Sequence, residues 1–453
     1  MRKLLLFFSA SIFVIVYVTG NLTPWENLSV CLFVYFFLTF LMNLGNRIAI
    51  LDLTIIMACL TCLIMPVVFY HVYTRENTLA RIWAKYMPIS SSDYFSFAVP
   101  AVIALALGLK IPLRKFKLNA DPGAYLENIK EYLKDRPKLG LILIAVGLLS
   151  GFLDFLVPGS LKEFFFLMAH LIFVGVFYVI YSPNKNKRVI VPAVILLMIG
   201  ESILTGMFGE LIFILACALV LLMLGAKIKY RKKLLFAFLG IFIIVLLQSI
   251  KGDYRQKSWR EGGGADPFYF GELIVDRITN PSSMLDPKGL FVLSVRMNQG
   301  WMVANTMKMV PQRHSFGNGE PLLISVAASV VPRFVWPEKP EAGGKANLKR
   351  FWGFDLIGWS TNIGTLGEAY ANFDRTGGLV YMFFYGLFFN IILSIIIKLS
   401  ERRPTIILWL PYLFFAAITV ETDLLSTMGA LVKGVIFAWI VFVLFDRVFR
   451  LKL

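Results

Sequence analysis

Charge is scarce in this chain of 453 residues: only 16% are Asp, Glu, Lys or Arg, whereas 58% are hydrophobic. That balance excludes an ordinary soluble globular domain. Acidic residues are scarcer than basic ones, 28 against 45, leaving a net charge of +17. The excess sits mainly in short connections between apolar runs, so it reflects membrane topology and attraction to anionic lipid rather than nucleic-acid binding. Cysteine occurs four times, at Cys31, Cys59, Cys62 and Cys217, each inside an apolar run, which leaves no disulfide framework to build. Cys59 and Cys62 have C-x-x-C spacing, but within a lipid-embedded helix packing is the expected role, ahead of metal or redox chemistry. No internal repeat or low-complexity tract is visible. No small-residue cleavage site follows the basic start and its apolar run, so that run is expected to be a retained span.

What the chain has in abundance is apolar runs of the length needed to cross a ~30 Å hydrocarbon core as helix. Twelve recur, near 4–20, 27–43, 53–73, 93–110, 139–157, 163–181, 189–206, 208–225, 233–250, 376–398, 404–421 and 428–446. The pair around Gly200 to Glu210 also reads as a tight helical hairpin. Basic residues favour the cytoplasmic side of short loops. Alternate connections obey this, with clusters at Lys110 to Lys138, Lys185 to Arg188, Lys227 to Lys233, Lys398 to Arg403 and Arg447 to Lys452. The opposite connections carry little beyond Arg75, Arg81, Lys85 and Lys162. Both termini are therefore expected in the cytoplasm. The segment Lys115 to Lys138 mixes charge with Tyr125, Leu126, Ile129, Tyr132 and Leu133, as a helix lying on the membrane surface does.

The expected division is a membrane region 1–250 with nine spans, a large outward loop 251–373, and a membrane region 374–453 with three spans. Aromatic and aliphatic residues recur throughout the loop, so it is folded. Phe270, Leu273, Ile274 and Ile278 form one helical stripe, and Leu290, Leu293, Met297, Trp301 and Ala304 a second. Leu322 to Val331 is apolar but too short to span, and is expected to lie in the interface or dip back into the membrane. Prolines and a tryptophan then place Arg333 and Lys339 at headgroup depth.

Arg255, Arg260, Arg277, Arg296, Arg333 and Lys339 together offer planar donor forks and an ammonium suited to a lipid diphosphate. Each alone also reads as a solvated loop cation. The candidate bases are Glu368, His314, Glu210 and Glu201. Glu368 also reads as a structural carboxylate that pairs with Arg375 or caps a helix. His314 also reads as a surface residue, and Glu201 with Glu210 as a buried pair. Lys433, inside the last span, is expected to pair with Asp154, Glu421 or Asp423 and fix helix packing.

The succession V-P-R-F-V-W-P-E-K-P (331–340), then T-N-I-G-T-L-G-E-A-Y-A-N-F-D-R-T-G (361–377) running into an apolar span, resembles Wzy-type O-antigen and oligosaccharide repeat-unit polymerases. The likeness covers the loop and the topology around it. Two departures stand out: Asp374 where that family commonly has Gly, and Thr205 to Glu210 where related enzymes carry Ser-Arg-Gly.

The resemblance implies an all-α polytopic bundle of the GT-C-like kind with one large helical periplasmic loop, in a bacterial inner membrane. It implies transfer of a growing glycan from undecaprenyl diphosphate to the next lipid-linked unit, with no metal and no organic cofactor. Glu368, His314 and Glu210 would be catalytic. Tyr370 and Asn372, in the second element, would join Arg255, Arg277, Arg296, Arg333 and Lys339 in holding diphosphate or glycan. Lipid-linked oligosaccharide and membrane lipid are the implied partners, with room for a chain-length regulator and a flippase and none for nucleic acid. A glycan ligase with a different acceptor stays open, as does a transporter of lipid-linked glycans, although the folded loop argues against the latter.

Overall fold

The computed structural model describes residues 20–113, 122–153, 156–206, 208–226, 228–260, 264, 266–284, 286–333, 335–357 and 360–453. The first predicted span, Arg114, Lys115, Lys117 and Asp154 lie outside the described residues, as do the side chains of Glu210 and Arg260. Among the described residues the protein is helical, with one isolated bridge, Leu44 to Arg47.

Spanning helices α1 (Pro24–Asn43), α2 (Ile50–His71) and α3 (Ser91–Lys110) open the bundle. A capping box starts α1, in which Thr23 and Glu26 satisfy each other's backbone N–H groups. A π turn over Leu60–Ile64 precedes Pro66 in α2, at a place where proline removes a donor from the ladder. Next come α4 (Pro122–Lys134) and α5 (Leu139–Leu153), which meet at 84°. Ile129 and Leu133 are buried, and the bend lays α4 across the end of the bundle as its apolar spacing predicts.

Helices α6 (Lys162–Tyr181), α7 (Lys187–Thr205), α8 (Gly209–Leu222) and α9 (Tyr230–Ser258) follow. The long loop then forms α10 (Pro267–Thr279), α11 (Pro287–Met297), α12 (Gln299–Met309), α13 (Glu320–Val330) and α14 (Lys345–Trp352). Finally α15 (Gly364–Leu399), α16 (Pro404–Thr419) and α17 (Leu424–Arg447) return to the bundle.

Eight helices among the described residues are long and apolar enough to cross a membrane, or nine if the bent α4–α5 pair is one span. Of the expected twelve, the first lies outside the described residues, and the fifth, eighth and eleventh differ for a reason of length, α5 having only 15 residues. With 14 residues, α8 extends ~21 Å, and α16 begins as a tight 3₁₀ turn.

The second loop stripe, expected as one helix, is two. Asn298 leaves helical geometry and its side chain accepts from Trp301 N, ending α11 and starting α12. The short apolar segment is α13, and it packs along α17. Within the bundle, α3 and α15 cross at Gly108 and Gly386, where an added Cβ would meet backbone at 2.1 and 2.5 Å, so only glycine permits that approach.

Loop and bundle share one core. Phe69, Tyr94 and Phe97 from the spans belong to the same buried cluster as Met302, Val303, Leu348 and Phe351 from the loop.

Candidate functional site

The predicted cations separate into groups. Arg296 lies in the last turn of α11, a position the helix dipole favours for a cation. Because α11 packs on α9, Arg296 comes close enough to Lys251 and Arg255, one turn apart on α9, for their charges to repel. Arg255 also donates through Nε to Gly206 O at 2.9 Å. A cleft of about 180 Å³ opens beside Arg296, lined also by Lys85, Asn298, Gln299, Trp301 and Thr361. Lys85 Nζ sits 3.5 Å from the centre of the Trp301 ring, whose Nε1 donates to Tyr86 O at 3.1 Å. Burial lowers the Lys85 ammonium below the usual lysine range.

One carboxylate answers these cations. Glu421 Oε2 is 3.6 Å from Arg296 Nη2, and its side chain is 21% exposed against 69% for the arginine. Burial pushes the Glu421 carboxyl above the ordinary glutamate range, while the Arg296 guanidinium pulls it back. The turn that carries Glu421 is anchored firmly. Val420 adopts φ 56°, and Asp423 caps α17 through Ser426 N at 2.8 Å while accepting from Gly344 N at 3.1 Å.

Glu368 performs the neighbouring anchorage. It is fully buried, accepting from Asn347 Nδ2 and from Leu424 N, each at 2.7 Å. Both oxygens are therefore engaged, one of them at the start of α17, where an acidic group is favoured. Of its two structural roles expected from sequence, capping is the one seen, on a different helix from its own. Arg375 instead reaches Ser96 Oγ and Asp93.

The remaining candidates lie elsewhere. His314 follows the far end of α12, ~16 Å of helix away from Arg296, and stands beside Gly353. Tyr370 is buried edge-on against Phe97, and Asn372 donates to Glu368 O at 2.9 Å. Arg277 is braced by Asp253 at 2.6 Å and by Asp276, tying α10 to α9. Lys339 Nζ donates to Ala328 O and Val331 O at 2.7 Å and so caps the C-terminus of α13. Arg333 donates to Pro337 O at 3.1 Å. Glu201 is exposed. Lys433 pairs with Glu163 at 2.7 Å, not with the acids expected, because α17 faces α6 at that height.

Sequence reasoning missed Lys85, Lys251 and Glu421 as members of the cleft region. The signal for two of them was present: Lys251 and Arg255 stand four apart at a span's end, and Glu421 ends the eleventh apolar run.

These features define a helical membrane protein whose long loop is built into the bundle and flanks a cation-lined cleft. The model of a family described as "Domain of unknown function (DUF8712)" matches residues 124–400, well over half of the chain, and the protein belongs to that family. Neither a curated protein nor a solved structure matches it.

Proposed function

We propose that the protein is a membrane glycosyltransferase that polymerises lipid-diphosphate-linked oligosaccharide units, with the cleft beside Arg296 as its reaction site and the long loop on the periplasmic face. The observation that carries this reading is the convergence of Arg296, Arg255 and Lys251 beside the Lys85-lined cleft and a largely buried carboxylate, Glu421. In the reaction, an acceptor sugar hydroxyl forms a bond to the donor's anomeric carbon, and the bond from that carbon to diphosphate oxygen breaks. The bonding pair leaves with the polyprenyl diphosphate, whose developing charge the three cations neutralise. The hydroxyl proton passes to Glu421, whose raised proton affinity makes it a better base than an ordinary surface carboxylate. Glu368, with both oxygens engaged, positions the turn that presents Glu421.

The test is surface polysaccharide from a deletion strain, resolved by size and complemented with wild-type protein or Arg296→Ala. The expected result is loss of long chains in the deletion strain, single units remaining on the acceptor, with Arg296→Ala reduced ~100-fold or more despite normal membrane levels. Lipid-linked polymer that accumulates without transfer would indicate a ligase. Normal chain lengths with Arg296→Ala would remove the cleft assignment.

A further inference from the structure

A second cavity, of about 360 Å³, runs between α6 on one side and α16 and α17 on the other. Phe166, Phe173, Tyr412, Phe415 and Leu425 make its walls apolar. Gly429 of α17 forms part of the floor, where an added Cβ would meet no atom within 4 Å. At Gly434, little more than a turn further on, a Cβ would touch Leu413 and Tyr412 at 3.3 and 3.4 Å. Helices α16 and α17 therefore close at Gly434 and part at Gly429.

Apolar surface flanks the groove on both sides, with Phe166 of α6 and Ile436 and Trp439 of α17 more than half exposed. In a membrane bundle such surface faces hydrocarbon. The Lys433–Glu163 pair interrupts it, with side chains 49% and 59% exposed. Charge placed beside lipid is costly and marks a functional position. Lys339 lies within electrostatic range of Lys433, so a second cation stands near this wall. The nearby Glu341 is engaged by Lys345 at 2.6 Å.

We propose that this groove seats one hydrocarbon chain of an anionic bilayer phospholipid, with the lipid phosphate on Lys433. Charge selects the occupant: the phosphate complements Lys433 and the nearby Lys339, whereas the ammonium of a zwitterionic headgroup would be repelled by the same two. The chain takes the space over Gly429, and the phosphate shares Lys433 with Glu163. The site holds independently of the transferase reading, since it shares no lining residue with the Arg296 cleft.

The experiment uses full-length protein in nanodiscs containing phosphatidylglycerol and phosphatidylcholine in equal amounts, extracted into mild detergent, with retained lipid measured by native mass spectrometry. The expected result is one retained phosphatidylglycerol per protein, reduced severalfold by Lys433→Gln and abolished by Gly429→Leu, whose side chain would fill the groove. Monodisperse elution and an unchanged melting temperature in detergent establish that each variant is folded. Equal retention of both lipids by wild-type protein would overturn the proposal, as would undiminished phosphatidylglycerol on folded Gly429→Leu. Should Gly429→Leu misfold, the wild-type lipid preference and its response to Lys433→Gln decide alone. Addition of a polyprenyl phosphate that displaces phosphatidylglycerol at equal concentration would also overturn the choice of occupant.

Discussion

Two carboxylates near the start of α17 meet opposite fates. Glu368 gives both oxygens to Asn347 and Leu424, so its hydrogen-bonding capacity is spent on holding elements together. Glu421 keeps partial exposure and pairs with the Arg296 guanidinium at 3.6 Å. Its carboxyl binds a proton more tightly in the folded protein than in the unfolded chain. Stability from this group is thus complete at low pH and falls as pH rises above the unfolded value of ~4.3 toward the folded one. Glu421→Gln, neutral at every pH, should leave the melting temperature unchanged at about pH 4 and raise it at about pH 8, each tenfold difference in proton affinity being worth ~1.4 kcal/mol. Thermal unfolding of both proteins at the two pH values checks this. A variant less stable than wild type at the higher pH would mean that the Arg296 attraction outweighs burial. Glu368 was legible in the sequence as a residue of interest because it sits in a recognisable segment. Its work was not, because Asn347 and Leu424 approach it only in the fold.

At the scale of the element, α15 contains a break that its apolar pattern conceals. Asp374 has φ 58° and ψ −162°, a region that essentially only glycine occupies without strain. The chain turns there so sharply that a Cβ on Gly378 would lie 3.2 Å from Ala369 O, a pair far apart in a straight helix. The first ten residues of α15 are thereby folded back against Phe97, which also meets Tyr370. Asp374→Gly should raise stability by ~1 kcal/mol, the relief of strain less the entropic cost of glycine. Asp374→Ala, which retains a Cβ, should give no gain. Chemical unfolding of the three proteins in detergent distinguishes the cases, and equal midpoints for the glycine and alanine variants would show that no strain resides there. Eight of the twelve expected spans were legible because hydrophobic length is a one-dimensional property. The break at Asn298 was not, because an unbroken 3.6-residue stripe on both sides hid the cap between α11 and α12.

At the scale of the whole molecule, a long polar loop reads from sequence as something set upon a membrane domain, and its true relation to the bundle depends on contacts that no local pattern encodes. The deciding contact is at Gly300, near the start of α12. A Cβ there would fall 2.2 Å from Pro66 Cγ and 2.4 Å from Tyr94 Oη, both belonging to the spans. Tyr94 is fully buried and donates to Cys62 O at 2.7 Å, so it has no room to retreat without giving up that bond. Gly300→Ala should therefore cost ~1–3 kcal/mol through overpacking, with a further loss if the tyrosine hydroxyl is left unpaired. The loss should reach loop and spans alike, because Met302, Phe351, Phe69 and Tyr94 share one buried cluster. Cysteine-labelling rates at Cys62 in the bundle and protease cleavage in the loop, followed together through thermal unfolding, give the readout. A single transition, moved down by the substitution and reported equally by both probes, is expected of a common core. If cleavage of the loop began well before Cys62 became reactive, loop and bundle would be separate cooperative units, and the cleft between them would owe its shape to docking rather than to folding.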